Sequence, residues 1–252
     1  MPEATSAVKS AATARGSAGP GPDHAGRRRR SRARRSDSAR SRALSFAIAR
    51  DRKLWSESEP LGLRSAHIHG TSMGGMVAQQ FAAKYPERTQ RLVINCSAAK
   101  LDYAGILTFR GWIDIAERFG MGSRTLAELI AVQALSRRFL DTSEGRRAVD
   151  MIQNILQDSN RVDIFKLACQ AMIDMDLRPL LPNITAPTLI IGGDEDMMTP
   201  WERATSGAGQ DYLAQHISGA KKHVIKGSNH STLFDGTDEN CRVVMAFLKS
   251  EL

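Results

Sequence analysis

The sequence predicts an α/β fold: a parallel β-sheet flanked by helices and interrupted by one long helical insertion. Three observations carry this expectation. Short apolar runs alternate with helical patterns from Ser65 to the C-terminal end. A Gly70-x-Ser72-x-Gly74 turn joins the first of these runs to a helical stretch. Residues 100–181 are dominated by helical patterns, rich in Met and Leu, with no strand signal among them.

The elements follow in order. Ser65-Ala66-His67-Ile68-His69 is a short strand candidate that runs into Gly70-Thr71-Ser72-Met73-Gly74-Gly75. Residues 76–85 have helical composition and stop at Pro86, which cannot continue a helix. Arg91-Leu92-Val93-Ile94-Asn95-Cys96 is a second strand, apolar through its middle as in a sheet buried on both faces. Within the insertion, residues 125–140 and 145–156 are the longest helical patterns. Ala186-Pro187-Thr188-Leu189-Ile190-Ile191-Gly192-Gly193 is the third strand and Lys222-His223-Val224-Ile225-Lys226 the fourth. Residues 201–216 suit a helix, and residues 241–252 close the chain with another. The expected organisation is a core over 61–99 and 183–252 with an insertion over 100–182.

Residues 1–60 differ in kind. They hold 14 Lys and Arg against 6 Asp and Glu, which accounts for the whole net charge of +8, whereas residues 61–252 hold 21 of each. The stretch is rich in Arg, Ser and Ala and too poor in aliphatic residues to offset the entropy of ordering it, so it is expected to be disordered. Residues 43–49 are its one apolar run, too short for a secretory signal. The basic charge therefore sits in a tail, which removes the argument for a nucleic-acid-binding face on the main domain. Cys96, Cys169 and Cys241 are odd in number and far apart. They predict neither a zinc site nor a disulfide framework, but apolar filling in a reducing, cytoplasmic setting. No apolar run approaches the roughly 18 residues of a membrane span.

The chemistry centres on Ser72. A serine between glycines on a strand-to-helix turn is the nucleophile-elbow pattern. Small neighbours permit the sharp turn, the hydroxyl is lifted clear of the sheet, and the N–H of Met73 points to where an oxyanion would form. A serine hydroxyl needs a general base. His230, in a loop after the fourth strand, is the candidate; His24, His67, His69, His216 and His223 lie in less suitable places. The base needs a carboxylate, and Asp194, Glu195 and Asp196 follow the third strand. All three groups fall at carboxyl ends of strands, where sites on parallel sheets form.

Ser72-Met73-Gly74-Gly75, Tyr85-Pro86-Glu87-Arg88, Arg91-Leu92-Val93 and residues 186–192 resemble the α/β-hydrolase superfamily in its capped esterase and lactonase branch. The stretches Ser97-Ala98-Ala99-Lys100 and 174–181 are similar to 3-oxoadipate enol-lactonases. The resemblance implies a Ser72–Asp196–His230 triad. The family's Asp-x-x-Thr-Pro pattern falls on Asp196, Thr199 and Pro200, and its Gly-x-x-His pattern on Gly227 and His230. It also implies that the helical insertion caps the site. The chain departs from the family at its front. Members carry further strands ahead of the elbow strand and a second oxyanion N–H from a His-Gly loop there. No second His-Gly pair precedes the elbow here, so the sheet is expected to be truncated or replaced on its N-terminal side, with the elbow strand at an edge.

The resulting expectation is a serine hydrolase of small-molecule carboxylic esters or lactones, needing no cofactor and no metal, with no membrane or nucleic-acid partner. Two alternatives are a catalytically impaired remnant of such an enzyme and a basic-tailed binding protein on a hydrolase scaffold.

Overall fold

Residues 64–202 and 209–250 are described in the computed structural model. The Arg-rich segment and the apolar run at 43–49 lie outside the described residues. Four strands, β1 (Ala66–Thr71), β2 (Thr89–Asn95), β3 (Thr188–Gly193) and β4 (Lys221–Ile225), form one sheet in the order β1-β2-β3-β4. Every neighbouring pair is parallel. Thr71 pairs with Asn95 and Asn95 with Ile191, so β1, β2 and β3 end level and release their loops at one edge.

The two central strands are the most apolar, and they are buried. Side chains alternate across the sheet with the period of the pleat. Leu92, Ile94 and Ile190 face one cluster, with Met76, Ala78 and Ala82 of α1 (Met73–Lys84). Val93, Leu189 and Ile191 face the other, with Val244 and Phe247 of α9 (Thr237–Lys249). Among the described residues β1 pairs with β2 alone.

The stretch between β2 and β3 is helical: α2 (Tyr103–Phe119), α3 (Arg124–Ala134), α4 (Arg137–Leu140), α5 (Ser143–Ser159) and α6 (Val162–Asp174), then a 3₁₀ turn over Arg178–Asn183. Local chemistry sets their ends. Asp102 accepts from the Gly105 N–H at 2.8 Å and Thr142 from the Gly145 N–H at 3.0 Å, capping α2 and α5. Gly120 (φ 79°) stops α2, and Asn160 stops α5 in the left-handed region at φ 37°. Phe109, Trp112, Leu126, Met172 and Leu181 bury the inner faces in the same cluster as Leu92 and Ile94.

Two expectations are corrected here. The single helical pattern over 125–140 is two helices, because Leu135 and Ser136 are extended. The expected helix over 201–216 is described as α7 (Gln210–His216), residues 203–208 lying outside the described part. α8 (Thr232–Asp235) and α9 follow β4, and α9 begins four residues ahead of Cys241. No helix among the described residues is long and apolar enough to cross a membrane.

Candidate active site

β1 delivers Ser72 to the sheet edge and α1 begins at the next residue. Ser72 sits at φ 53°, the left-handed region that a non-glycine residue enters only when its surroundings enforce it. The enforcement is visible. The Ser72 N–H donates to the Asn95 carbonyl at 2.9 Å, and the Ser72 carbonyl accepts from the Gly75 N–H at 2.9 Å and the Ser97 hydroxyl at 2.8 Å. Two glycines permit the turn. A Cβ on Gly70 would overlap the Gly74 carbonyl, and one on Gly75 would come 2.5 Å from Ser97 Cβ. Gly74 has open space where its Cβ would be, so the tight position after the serine is Gly75 and not, as the motif suggests, Gly74. The Ser72 hydroxyl makes no bond to the helix start, which leaves it available to another partner. Met73 is the first helical residue, so its N–H has no intrahelical acceptor.

That partner is His230. Its Nε2 lies 2.8 Å from Ser72 Oγ, and its Nδ1 lies 3.1 Å from each carboxylate oxygen of Asp196. An ionised carboxylate only accepts, so Nδ1 carries a ring proton, and in the neutral ring Nε2 is the acceptor facing the serine. Asp196 is buried, and its oxygens are fully engaged. Oδ1 accepts from the N–H groups of Met198 and Thr199 at 2.9 and 2.8 Å; Oδ2 accepts from the Thr199 hydroxyl at 2.9 Å and Gln210 Nε2 at 3.1 Å. Burial pushes the Asp196 carboxyl up. The charge and hydrogen bond of His230 and the bonds from Thr199 outweigh this and hold it below the ordinary carboxylate value.

The remaining candidates are occupied elsewhere. Asp194 accepts from the Gly227 N–H at 2.6 Å and pairs with Lys226 at 3.4 Å, while Glu195 is exposed. His223 meets Glu239 at 2.7 Å, His216 stacks on Tyr212, and His67 and His69 are exposed on β1.

Several neighbours of the site carry no signal in the sequence. Gln210, which holds the acid alongside Thr199 of the Asp-x-x-Thr-Pro pattern, comes from α7, beyond any local pattern. Cys96, at φ 45° just after β2, is buried with Sγ 3.6 Å from Thr232 Oγ1. Cys96 and Cys169 are buried fillers as expected, but Cys241 is exposed. Donor atoms of Cys96, Asp196 and His230 lie within 4.8 Å of one another, a spacing compatible with a metal ion. Their chemistry does not fit one. Burial, then the charge of Asp196, pushes the Cys96 thiol far above its ordinary value, and the carboxylate and imidazole are engaged with each other.

The family model described as the alpha/beta hydrolase fold matches residues 20–237 of this chain. The chain is 26% identical over 175 residues to 3-oxoadipate enol-lactonase 2 of Acinetobacter baylyi, covering 69% of this chain and 60% of that protein. It is 26% identical over 189 residues to serine hydrolase BPHL of Mus musculus, covering 75% of this chain and 56% of that protein. The chain thus spans less than two thirds of the length of these relatives. The crystal structure of the enol-lactonase from Burkholderia xenovorans LB400 superposes with a TM-score of 0.68 at 23% identity, covering 79% of this chain and 71% of that one.

Proposed function

Because the chain belongs to the alpha/beta hydrolase fold family, we propose that it is a serine hydrolase of carboxylic esters or lactones, acting through Ser72, His230 and Asp196. The observation that carries this reading is one unbroken relay: Ser72 Oγ to His230 Nε2 at 2.8 Å, and Nδ1 to the Asp196 carboxylate at 3.1 Å. Both spans lie within hydrogen-bond reach for a nucleophile, its base and the group that orients the base.

In this reading Ser72 Oγ bonds to the substrate carbonyl carbon while its proton passes to Nε2. The carbonyl oxygen becomes an oxyanion facing the Met73 N–H. The C–O bond to the leaving group breaks, and the leaving oxygen takes the proton from Nε2, leaving an acyl-serine. A water then gives its proton to Nε2 and attacks the acyl carbon; Ser72 leaves and recovers the proton. In a lactone the leaving oxygen stays tethered to the acyl group. Asp196 stabilises the imidazolium at each proton transfer without itself accepting the proton. These steps use the chain, the substrate and one water. The helices over 100–182 act as a cap that shapes the acyl pocket, and the likeness to an enol-lactonase favours small lactones and esters as the substrate class.

The test is covalent labelling. A fluorophosphonate probe should modify the protein at Ser72, located by peptide mass spectrometry. Ser72→Ala should not label, and His230→Ala should label at least ~10²-fold more slowly, as expected when a nucleophile loses its general base. A folded protein that never reacts at Ser72 overturns the reading.

A further inference from the structure

Asn229, the residue before His230, is buried with its side chain bonded to its own loop and to two other segments. Oδ1 accepts from the Met197 N–H at 3.0 Å, in the loop that carries Asp196. The same oxygen accepts from the His230 N–H at 2.8 Å. Nδ2 donates to the Leu135 carbonyl at 3.1 Å, where α3 ends in the helical insertion. Asp235 binds the same parts from the far side. Its carboxylate accepts from the Asn229 N–H at 3.1 Å, the Ser136 N–H at 2.8 Å and the Ser228 hydroxyl. The Ser231 N–H completes the seam by donating to the Ala134 carbonyl at 2.8 Å. Neither the Asn229 amide nor the Asp235 carboxylate bonds to Ser72, to the His230 ring or to the Asp196 carboxylate.

We propose that Asn229, braced by Asp235, is a positioning residue that holds Asp196 and His230 in register and ties both loops to the end of α3. The helical insertion and the acid–base pair then move as one body. The proposal rests on the catalytic reading of the triad given above. Its physical basis is that a general base acts only within hydrogen-bond reach, so a displacement of about 1 Å costs on the order of 10² in rate. The Asn229 oxygen fixes the backbone just after Asp196, at the Met197 N–H, and at the N–H of His230 itself. The Asn229 nitrogen makes the position of both working side chains depend on where α3 ends.

The experiment is a double-mutant cycle read by the rate of fluorophosphonate labelling at Ser72 in the full chain, with thermal midpoints measured alongside. Asn229→Ala should slow labelling by about 10- to 100-fold. In a His230→Ala background the same change should alter the residual rate less than about 2-fold, because no imidazole remains to be positioned. Asp235→Asn keeps the side-chain shape and one acceptor. It should show the same dependence on His230 with a loss of about 3- to 10-fold, and it serves if Asn229→Ala does not fold. Equal slowing with and without His230, or unchanged labelling in both variants, overturns the positioning role. If the otherwise wild-type protein fails to label, or labels as fast in His230→Ala, the triad reading fails first and the positioning role falls with it. That failure is visible before Asn229 is touched.

Discussion

Gly70 and Gly74 flank Ser72 symmetrically in the sequence but not in space. The Cβ position of Gly70 is filled by the carbonyl of Gly74, whereas that of Gly74 is open. Gly70→Ala should therefore destabilise the fold by about 2 kcal/mol or more, because backbone atoms cannot give way as side chains do. Gly74→Ala, inside a helix and at an unstrained φ, should be neutral or stabilise by up to about 1 kcal/mol. Urea unfolding of the two variants checks the pair, and equal losses would mean the motif's spacing and not the contact governs. Asp196 gives a second residue-scale expectation. Its folded pKa is depressed below the ordinary 3.8, so its contribution to stability is present above that value and is lost as pH falls through the folded pKa. The stability gap between the wild-type chain and Asp196→Asn should narrow below about pH 4, measured by urea unfolding at each pH. A gap that widens in acid would reverse the sign argued here.

Elements were legible where their causes are local. Four short strand candidates match four strands, and the burial of Leu92, Val93 and Ile94 follows from an apolar stretch with both faces covered. The meeting of the Ser72, His230 and Asp196 side chains was legible too, since each of these residues follows a strand. The break between α3 and α4 was not legible. The residues that occupy the backbone of Ala134 to Ser136 are Asn229, Ser231 and Asp235, more than ninety positions downstream. Gln210 and Thr232, which bond to Asp196 and Asn95 in the buried floor of the site, were hidden for the same reason. Helix ends were not legible in full, since the expected pattern over 145–156 stops short of the caps Thr142 and Asn160, but their causes are local and carry a prediction. Thr142 caps α5 through the Gly145 N–H, so Thr142→Ala should cost about 1 kcal/mol. Asn160 closes that helix at φ 37°, where glycine is less strained, so Asn160→Gly should stabilise by a few tenths of a kcal/mol. Thermal midpoints moving in opposite directions would check both ends of one helix.

At the scale of the molecule, the question is whether the helical insertion is a separable part or shares the stability of the sheet. The packing favours sharing. One cluster contains Leu92, Ile94 and Ile190 from the strands, Met76 from α1, and Phe109, Trp112, Leu126 and Met172 from the insertion. The hydrogen-bonded seam between α3 and the His230 loop adds a polar link on top of this apolar one. Parts that bury a common core lose it together, so unfolding should be one cooperative transition reported alike by any probe. Leu126 is fully buried in that cluster, and Leu126→Ala should cost about 2–5 kcal/mol through lost contacts and the cavity left behind. A chain with Trp55 and Trp201 changed to Phe keeps Trp112 as its one tryptophan, a fluorescence probe inside the insertion. In that background the Trp112 signal and the far-UV signal should share one midpoint, and Leu126→Ala should lower both by the same amount. A Trp112 transition that falls ahead of the far-UV transition would show an insertion unfolding alone, leaving the sheet to carry Ser72, Asp196 and His230 without it.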